Sequence, residues 1–262
     1  MMRALFTAAT GMSAQQTRLD AISNNLANVN TTGYKKSRAE FQDLFYETLR
    51  APGALAASGA ALPSGVQIGN GVKLAAIGKQ MGQGEFVSTG RDLDLAVEGE
   101  GFFQVERPDG ETIYTRDGTF SRDRDGNVVT TEGFLLVPNI QIPLDAIQVT
   151  ILRDGTVSIL QPGAAAPTDA GQVELARFAN PAGLRAIGGN AFVPTEASGD
   201  AQTGTPDEQG FGSLAQGFLE NANVNVAEEL VNMILTQRAF ELNARAIQAG
   251  DEMLQTIGAL YR

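Results

Sequence analysis

Four carboxylates sit close together in the middle of the chain, Asp92, Asp94, Glu98 and Glu100, and two acids at a suitable separation are all that a carboxylate-dependent hydrolysis requires. The ordinary reading of acids that alternate along a strand is a solvent face. No aromatic-rich groove accompanies them, for the chain has no Trp. A second group, Asp123, Asp125, Gly126, Asn127 and Glu132, faintly follows a calcium loop, in which oxygen ligands alternate around a glycine. Its spacing to Glu132 is short and its flanks read as strands, which favours a hairpin turn. Lys35, Lys36 and Arg38 form the one basic knot, read as a surface or inter-subunit contact in preference to a phosphate site. Gly69, Gly71 and Gly78 do not make a dinucleotide fingerprint, and no stretch reads as a phosphate-cradling loop.

Composition narrows the chemistry further. With no Cys and no His, zinc sites of the Cys/His type, thiol nucleophiles, disulfides and imidazole-based triads are excluded. Nineteen basic against thirty acidic side chains give a net charge of −11, which argues against nucleic acid and anionic lipid as partners, since both call for cationic surface. No cofactor is implied. The opening MMRALFTAATGM carries Arg3 as its only positive charge and a short, interrupted apolar run, a poor cleavable leader. No stretch approaches the roughly 18–20 apolar residues that span a bilayer, so direct membrane insertion is not expected.

The elements that must position these residues begin with the termini. Met1, Leu5, Ala8, Met12, Gln15, Leu19, Ile22, Leu26 and Val29 recur at alternating spacings of four and three, a stripe that suits a helix packed against other helices. At about 1.5 Å per residue such a helix is roughly 40 Å long, too long for a small domain to cover. Leu230, Met233, Gln237, Phe240, Ala244, Ile247, Asp251, Leu254, Gly258 and Tyr261 form a second stripe, less regular, in which Gly250 weakens the helix by about 1 kcal/mol relative to Ala. Asn225 or Asn223 supplies its N-cap. The first helix is expected to stop near Asn28 to Asn30, with Gly33 taking a left-handed turn.

Between the helices the text changes period. FQDLFYETL reads as a short helix or an extended arm. Residues 51–65, APGALAASGAALPSG, read as an irregular connection. From about Val66 to Thr195 the runs are β, punctuated by Asp109–Gly110, Asp117–Gly118, Asp125–Gly126 and Asp154–Gly155, pairs that suit tight hairpins of a mostly local antiparallel sheet. Residues 197–217 read as a second weakly structured connection. The expected fold class is α+β, with paired, coiled-coil-like terminal helices enclosing an antiparallel β body. The expected domains are discontinuous: 1–33 with 222–262, a terminal helical domain; 34–80 with 198–221, arm and linker; and 81–197, a β-rich outer domain.

The stretch ALFTAATGMSAQQTRLDAISNNLANVNTTGYKKSRAEFQDLFYETL resembles the N-terminal signature of the bacterial flagellar rod and hook family, and its distal-rod members most of all. GVQIGNGVKLAAI, GRDLDLAVEGEGFFQV, YTRDGTFSRDRDGNVVT and the ending from GSLAQGFLENANVNVAEELVNMI extend the likeness over nearly the whole chain. Asn24, Asn25, Asn28, Asn30 and Gly33 belong to the family motif. The resemblance implies a structural subunit and no enzyme. Such a subunit is exported without a cleaved leader through the flagellar type III apparatus and polymerises into a rigid hollow shaft that carries torque across the periplasm around the export channel. The implied partners are further copies of the chain, the hook protein, proximal rod proteins, and the P-ring and L-ring proteins. The implied polymerisation seam is Leu5, Met12, Leu19, Ile22, Leu26 and Val29 with Leu230, Met233, Phe240, Ile247, Leu254 and Tyr261, and the 51–65 connection, with Pro52, Gly53, Pro63 and Gly65, is implicated in rigidity. A hook or proximal-rod sibling is the near alternative, and a secreted carboxylate-dependent hydrolase the distant one.

Overall fold

A computed structural model describes residues 2–52, 64–163 and 166–260. Over these the chain divides into two compact units. The first takes Met1–Leu26, Ser37–Gly78 and Asn225–Arg262, and the second Ala27–Lys36 and Lys79–Val224. The backbone therefore passes from one to the other four times.

The first unit holds both long helices. Helix α1 spans Met2–Ala27 and α2 spans Val226–Leu260. The α2 start is capped by Asn225, whose Oδ1 accepts from the Ala227 and Glu228 amides at 3.0 and 3.2 Å. Glu228 and Glu229 in the first turn add favourable charge at the positive end of the helix dipole. FQDLFYETL is extended and not helical, as β1 (Ser37–Asp43) and β2 (Tyr46–Arg50). These pair with β4 (Val72–Lys79) and β3 (Val66–Gly69) respectively, in a ribbon whose register runs from Tyr46↔Gly69 to Arg50↔Val66. Pro52 and Gly65 lie where this ribbon opens, and a Cβ on Gly65 would strike the Arg50 carbonyl and the Pro52 ring. Gly53, Pro63 and Tyr261 lie outside the described residues.

The second unit is the β body. Its strands are β5 (Phe86–Ser88), β6 (Leu95–Glu98), β7 (Phe102–Glu106), β8 (Thr112–Thr115), β9 (Phe120–Arg122), β10 (Val128–Thr130), β11 (Leu135–Val137) and β12 (Gln148–Ile151). They continue with β13 (Thr156–Leu160), β14 (Thr168–Gln172), β15 (Leu175–Arg177), β16 (Arg185–Gly188), β17 (Ala191–Val193), β18 (Gln202–Gly204), β19 (Ser213–Gln216) and β20 (Phe218–Glu220). The main sheet runs β16-β17-β8-β7-β11-β10-β9, with β15 and β18 joined at β7. Its neighbours pair antiparallel. The α+β class is thus the observed one.

Strand β7 is buried on both sides. Successive side chains on a strand point to opposite faces, so Phe103 enters one core, edge-on to Phe120 at 5.1 Å, while Phe102 enters a second with Phe178 and Phe192. This explains the two adjacent aromatic residues, Phe102 and Phe103, where alternation would mark a half-exposed strand, and it buries even the polar Gln104 between them and Val105.

Three of the four Asp-Gly pairs turn hairpins: Gly110, Gly126 and Gly155 have φ of 82°, 87° and 85° at the β7–β8, β9–β10 and β12–β13 turns. Asp117–Gly118 does not. Asp117 Oδ1 accepts from Thr32 Oγ1 and from both the amide and hydroxyl of Thr119, and any Cβ on Gly118 would overlap the Leu95 carbonyl. Glycine is needed there for close backbone approach and not for a turn. Residues 197–217, expected to be weakly structured, contain β18 and β19, paired with β15 and β6. Those partners stand far away in sequence, so no local hairpin pattern announces them.

Candidate assembly surface

Helices α1 and α2 approach each other at two places where one side lacks a Cβ. A Cβ on Gly11 would lie 2.9 Å from the Asn243 amide nitrogen, and one on Gly250 would lie 2.6 Å from Leu5 Cδ2. Moving six residues forward along α1 moves the contact seven residues back along α2, so the pair is antiparallel. The sequence reading treated Gly250 only as a weak point. In the structure it is also what admits Leu5, a gain that helix propensity does not count.

The stripe residues differ in cover. On α1, Ile22 is buried and Leu5, Met12, Leu19 and Leu26 are half-buried, as is Val29 just beyond the helix. On α2, Met233 and Ile247 are half-buried, whereas Leu230, Phe240 and Leu254 remain exposed. More apolar surface lies elsewhere. Val231, Leu235, Leu242 and Met253 are between 51 and 64% exposed, and at 3.6 residues per turn they fall within about 40° of one another. The buried Glu229, Thr236 and Gly250 lie roughly 80–140° around the helix from that face. Helix α2 thus has two apolar sides, one partly covered and one bare. The sequence reading missed the second, although its spacing of four and seven was there to be read. The ribbon is similarly bare, with Phe45 at 93% and Leu49 at 59% exposed.

The Asn-rich end of α1 is built for a different purpose. Asn25 is buried, its Nδ2 donating to the Ser37 carbonyl at 2.9 Å and its Oδ1 accepting from the Ser37 amide at 2.8 Å. A single side chain thereby acts as the strand partner of one residue and closes the excursion between them. Asn28 caps the following turn, its carbonyl accepting from the Thr31 amide at 3.1 Å. Gly33 has φ 67°, the left-handed turn expected of it.

Within the β body, the Thr31–Lys36 segment has no regular secondary structure, yet Gly33, Tyr34 and Lys35 are buried. Lys35 corrects the reading of a basic surface knot. It is 1% exposed, and its Nζ donates to Glu220 Oε1 at 2.6 Å and the Gly82 carbonyl at 2.9 Å. Glu220 Oε2 meets Arg116 NH1 at 3.3 Å, and the Gly84 amide donates to Oε1 at 2.7 Å. The Arg116 guanidinium also donates to the carbonyls of Val97 and Gly99 and stacks 5.2 Å over Phe102. Burial pulls the Lys35 ammonium below the usual lysine range despite Glu220, with Arg116 adding to the effect. Asn223, proposed as a possible helix cap, instead accepts from the Lys36 amide and donates to the carbonyls of Gln80 and Gly82.

Comparison with known proteins is decisive at this point. Three family models match in order along the chain: "Flagella basal body rod protein" over residues 5–35, "Flagellar hook protein FlgE/F/G D1 domain" over 96–159, and "Flagellar basal body rod FlgEFG protein C-terminal" over 215–260. The flagellar basal-body rod protein FlgG of Borreliella burgdorferi is 48% identical over 100% of both chains. That of Agrobacterium fabrum is 47% identical over 98% of each, and that of Bacillus subtilis 40% over 100% of each. The chain belongs to the FlgG family of flagellar basal-body rod proteins.

It is accordingly a structural subunit of the flagellar distal rod, located in the basal body and assembled with copies of itself and other flagellar components. A FlgG-family chain is a building unit and not an enzyme, and the hydrolase alternative finds no support. The acidic groups have other duties. Asp94, read as a solvent-facing acid, is 1% exposed, accepts from Thr89 Oγ1 at 2.6 Å and pairs with Arg91 at 3.5 Å. Glu98 and Glu100 are exposed partners of Arg153 and Arg177, and Asp92 is exposed. Asp123 and Gly126 form the β9–β10 turn, with the Gly126 amide donating to the Asp123 carbonyl at 3.0 Å. Among the described residues no helix is long and apolar enough to cross a membrane.

Proposed function

We propose that this FlgG-family subunit polymerises through α1 and α2 into a rigid hollow shaft that transmits torque from motor to hook and surrounds the export channel. The observation that carries the reading is the uncovered face of α2, where Val231, Leu235, Leu242 and Met253 stay exposed although α2 already packs on α1. An amphipathic helix draws most of its stability from packing, and burying a large apolar side chain contributes about 1.5–3 kcal/mol. Neighbouring subunits that cover this face supply that energy on assembly.

In this reading Leu5, Met12, Leu19, Ile22, Leu26 and Val29 of α1 and its exit, together with Leu230, Met233, Phe240, Ile247, Leu254 and Tyr261, form the seam of an inner helical tube. The helices within residues 1–33 and 222–262 make that tube, 81–197 the outer domain, and 34–80 with 198–221 the arm and linker, stiffened at Pro52, Gly53, Pro63 and Gly65. The rod crosses the periplasm inside the P-ring and L-ring and joins proximal rod proteins to the hook protein. Its subunits reach the growing tip through the type III export apparatus.

Leu235→Asp tests the carrying observation, because it sets a charge on the bare face of a helix that belongs to the other unit than the β body. The variant should remain monomeric by sedimentation under conditions in which wild-type chains form tubes, with an unchanged thermal transition of the β body. Normal tube formation by this variant would overturn the reading. Electron micrographs of wild-type polymer should show straight tubes, whereas curved, supercoiled ones would move the chain to the hook type.

A further inference from the structure

Irregular segments usually run over a protein's surface, because buried backbone polar groups need partners. Thr31–Lys36 breaks that rule, and the structure shows how. The Gly33 amide donates to the Glu220 carbonyl at 2.8 Å, Asn190 donates to the Thr32 carbonyl at 2.9 Å, and Lys79 Nζ donates to the Lys35 carbonyl at 3.1 Å while lying 4.5 Å over the Tyr34 ring. Gly33 sits so close to the body that a Cβ would lie 2.6 Å from the Asp117 amide. At the centre, one carboxylate, Glu220, faces two cations, Lys35 and Arg116, all of them at most 6% exposed.

Such a cluster is an inefficient way to gain stability, since apolar side chains of equal volume often do as well or better. What charge adds is register. Only a carboxylate at that point can accept from the Lys35 ammonium, the Arg116 guanidinium and the Gly84 amide together, so a slip by one residue strands two buried cations. The partners are also remote, Lys35 and Glu220 being 185 positions apart, so the cluster closes only when the last strand of the body is in place.

We propose that Lys35, Arg116 and Glu220 form a charge latch that fixes the register of Thr31–Lys36 on the β body and holds the segment seated when α1, with which it is continuous, is placed under load. The loading rests on the shaft reading; the latch itself does not. It opens as one piece, releasing residues 31–36 and 80–84 together, without melting strands β7 and β8.

Hydrogen exchange measured by mass spectrometry on full-length monomer tests this. In Glu220→Gln, peptides covering 31–36 and 80–84 should exchange more than about tenfold faster, while β7 and β8 keep the wild-type rate. Lys35→Met, which leaves Arg116 to neutralise Glu220, should accelerate the same peptides by a smaller factor. Wild-type exchange at 31–36 in both variants would overturn the latch, and so would acceleration there that β7 and β8 match. If Glu220→Gln fails to fold, Lys35→Met decides alone by the same two criteria. Because monomers are used, a chain that never forms tubes would sink the shaft reading and leave this result standing.

Discussion

The two units of the chain handle apolar surface in opposite ways. In the β body Phe103, Phe120 and Leu175 have no exposed surface at all, and the side chains on both faces of strand β7 lie in packed cores. In the helical unit the buried apolar side chains of the helices, among the described residues, are Ala8, Ala14 and Ile22, two of them small, while Leu235 and Leu242 stay more than 60% exposed. The body finishes its core within one chain; the helices leave apolar surface bare, which the proposed shaft would cover with other chains. Stability and assembly are thereby separated along the sequence, and a mutation can strike one without the other.

The sharpest way to break that contrast is a crossed pair. Leu235→Asp should abolish assembly with the body intact, whereas Phe103→Ala should destabilise the body by about 3–5 kcal/mol through an unfilled cavity, read from denaturant unfolding. Equal effects of the two on unfolding would refute the separation. Gly118→Ala comes next: with the Leu95 carbonyl in the way, overpacking should cost about 1–3 kcal/mol, and a neutral result would show that the strand can shift. Asn225→Ala acts on the other unit, removing the α2 cap at about 1 kcal/mol, which circular dichroism should register as lost helix at unchanged body stability.

The smallest effect concerns pH. Burial lowers the pKa of Lys35 in the folded chain, so over the window below its ordinary value of 10.5 the unfolded chain holds more protons and stability rises with pH. Denaturant midpoints compared between wild type and Lys35→Met from about pH 8.5 to about pH 10 should show the shallower rise in the variant. A steeper rise in the variant would reverse the sign assigned to this group.

Much of this architecture is legible in the residues because it is local. The 4,3 stripe, the Asn-rich stop of α1, the Asn225 cap and three Asp-Gly hairpins each depend on a few neighbours in sequence. What was hidden is non-local. Nothing near Lys35 reveals that its counter-charge is Glu220, and nothing near Gly118 reveals the backbone of Leu95 behind it. The acids at 92–100 looked uniform, yet only Asp94 is buried, since a strand's solvent face is defined by what packs on the other side. The second apolar side of α2 is harder to read for a different reason: Val231, Leu235, Leu242 and Met253 are spaced more widely than the 4,3 stripe and lie interleaved with it.

The four crossings between units set an order of events. In a chain delivered amino end first, α1 emerges at the outset and then waits, unmatched, until residue 226 and its successors have followed. The β body reaches its closing strand only just before that. Delivery in that direction would keep the sticky portion of the molecule incomplete for almost its whole length, and under the export proposed above a newcomer would acquire its mate only once nearly clear of the passage.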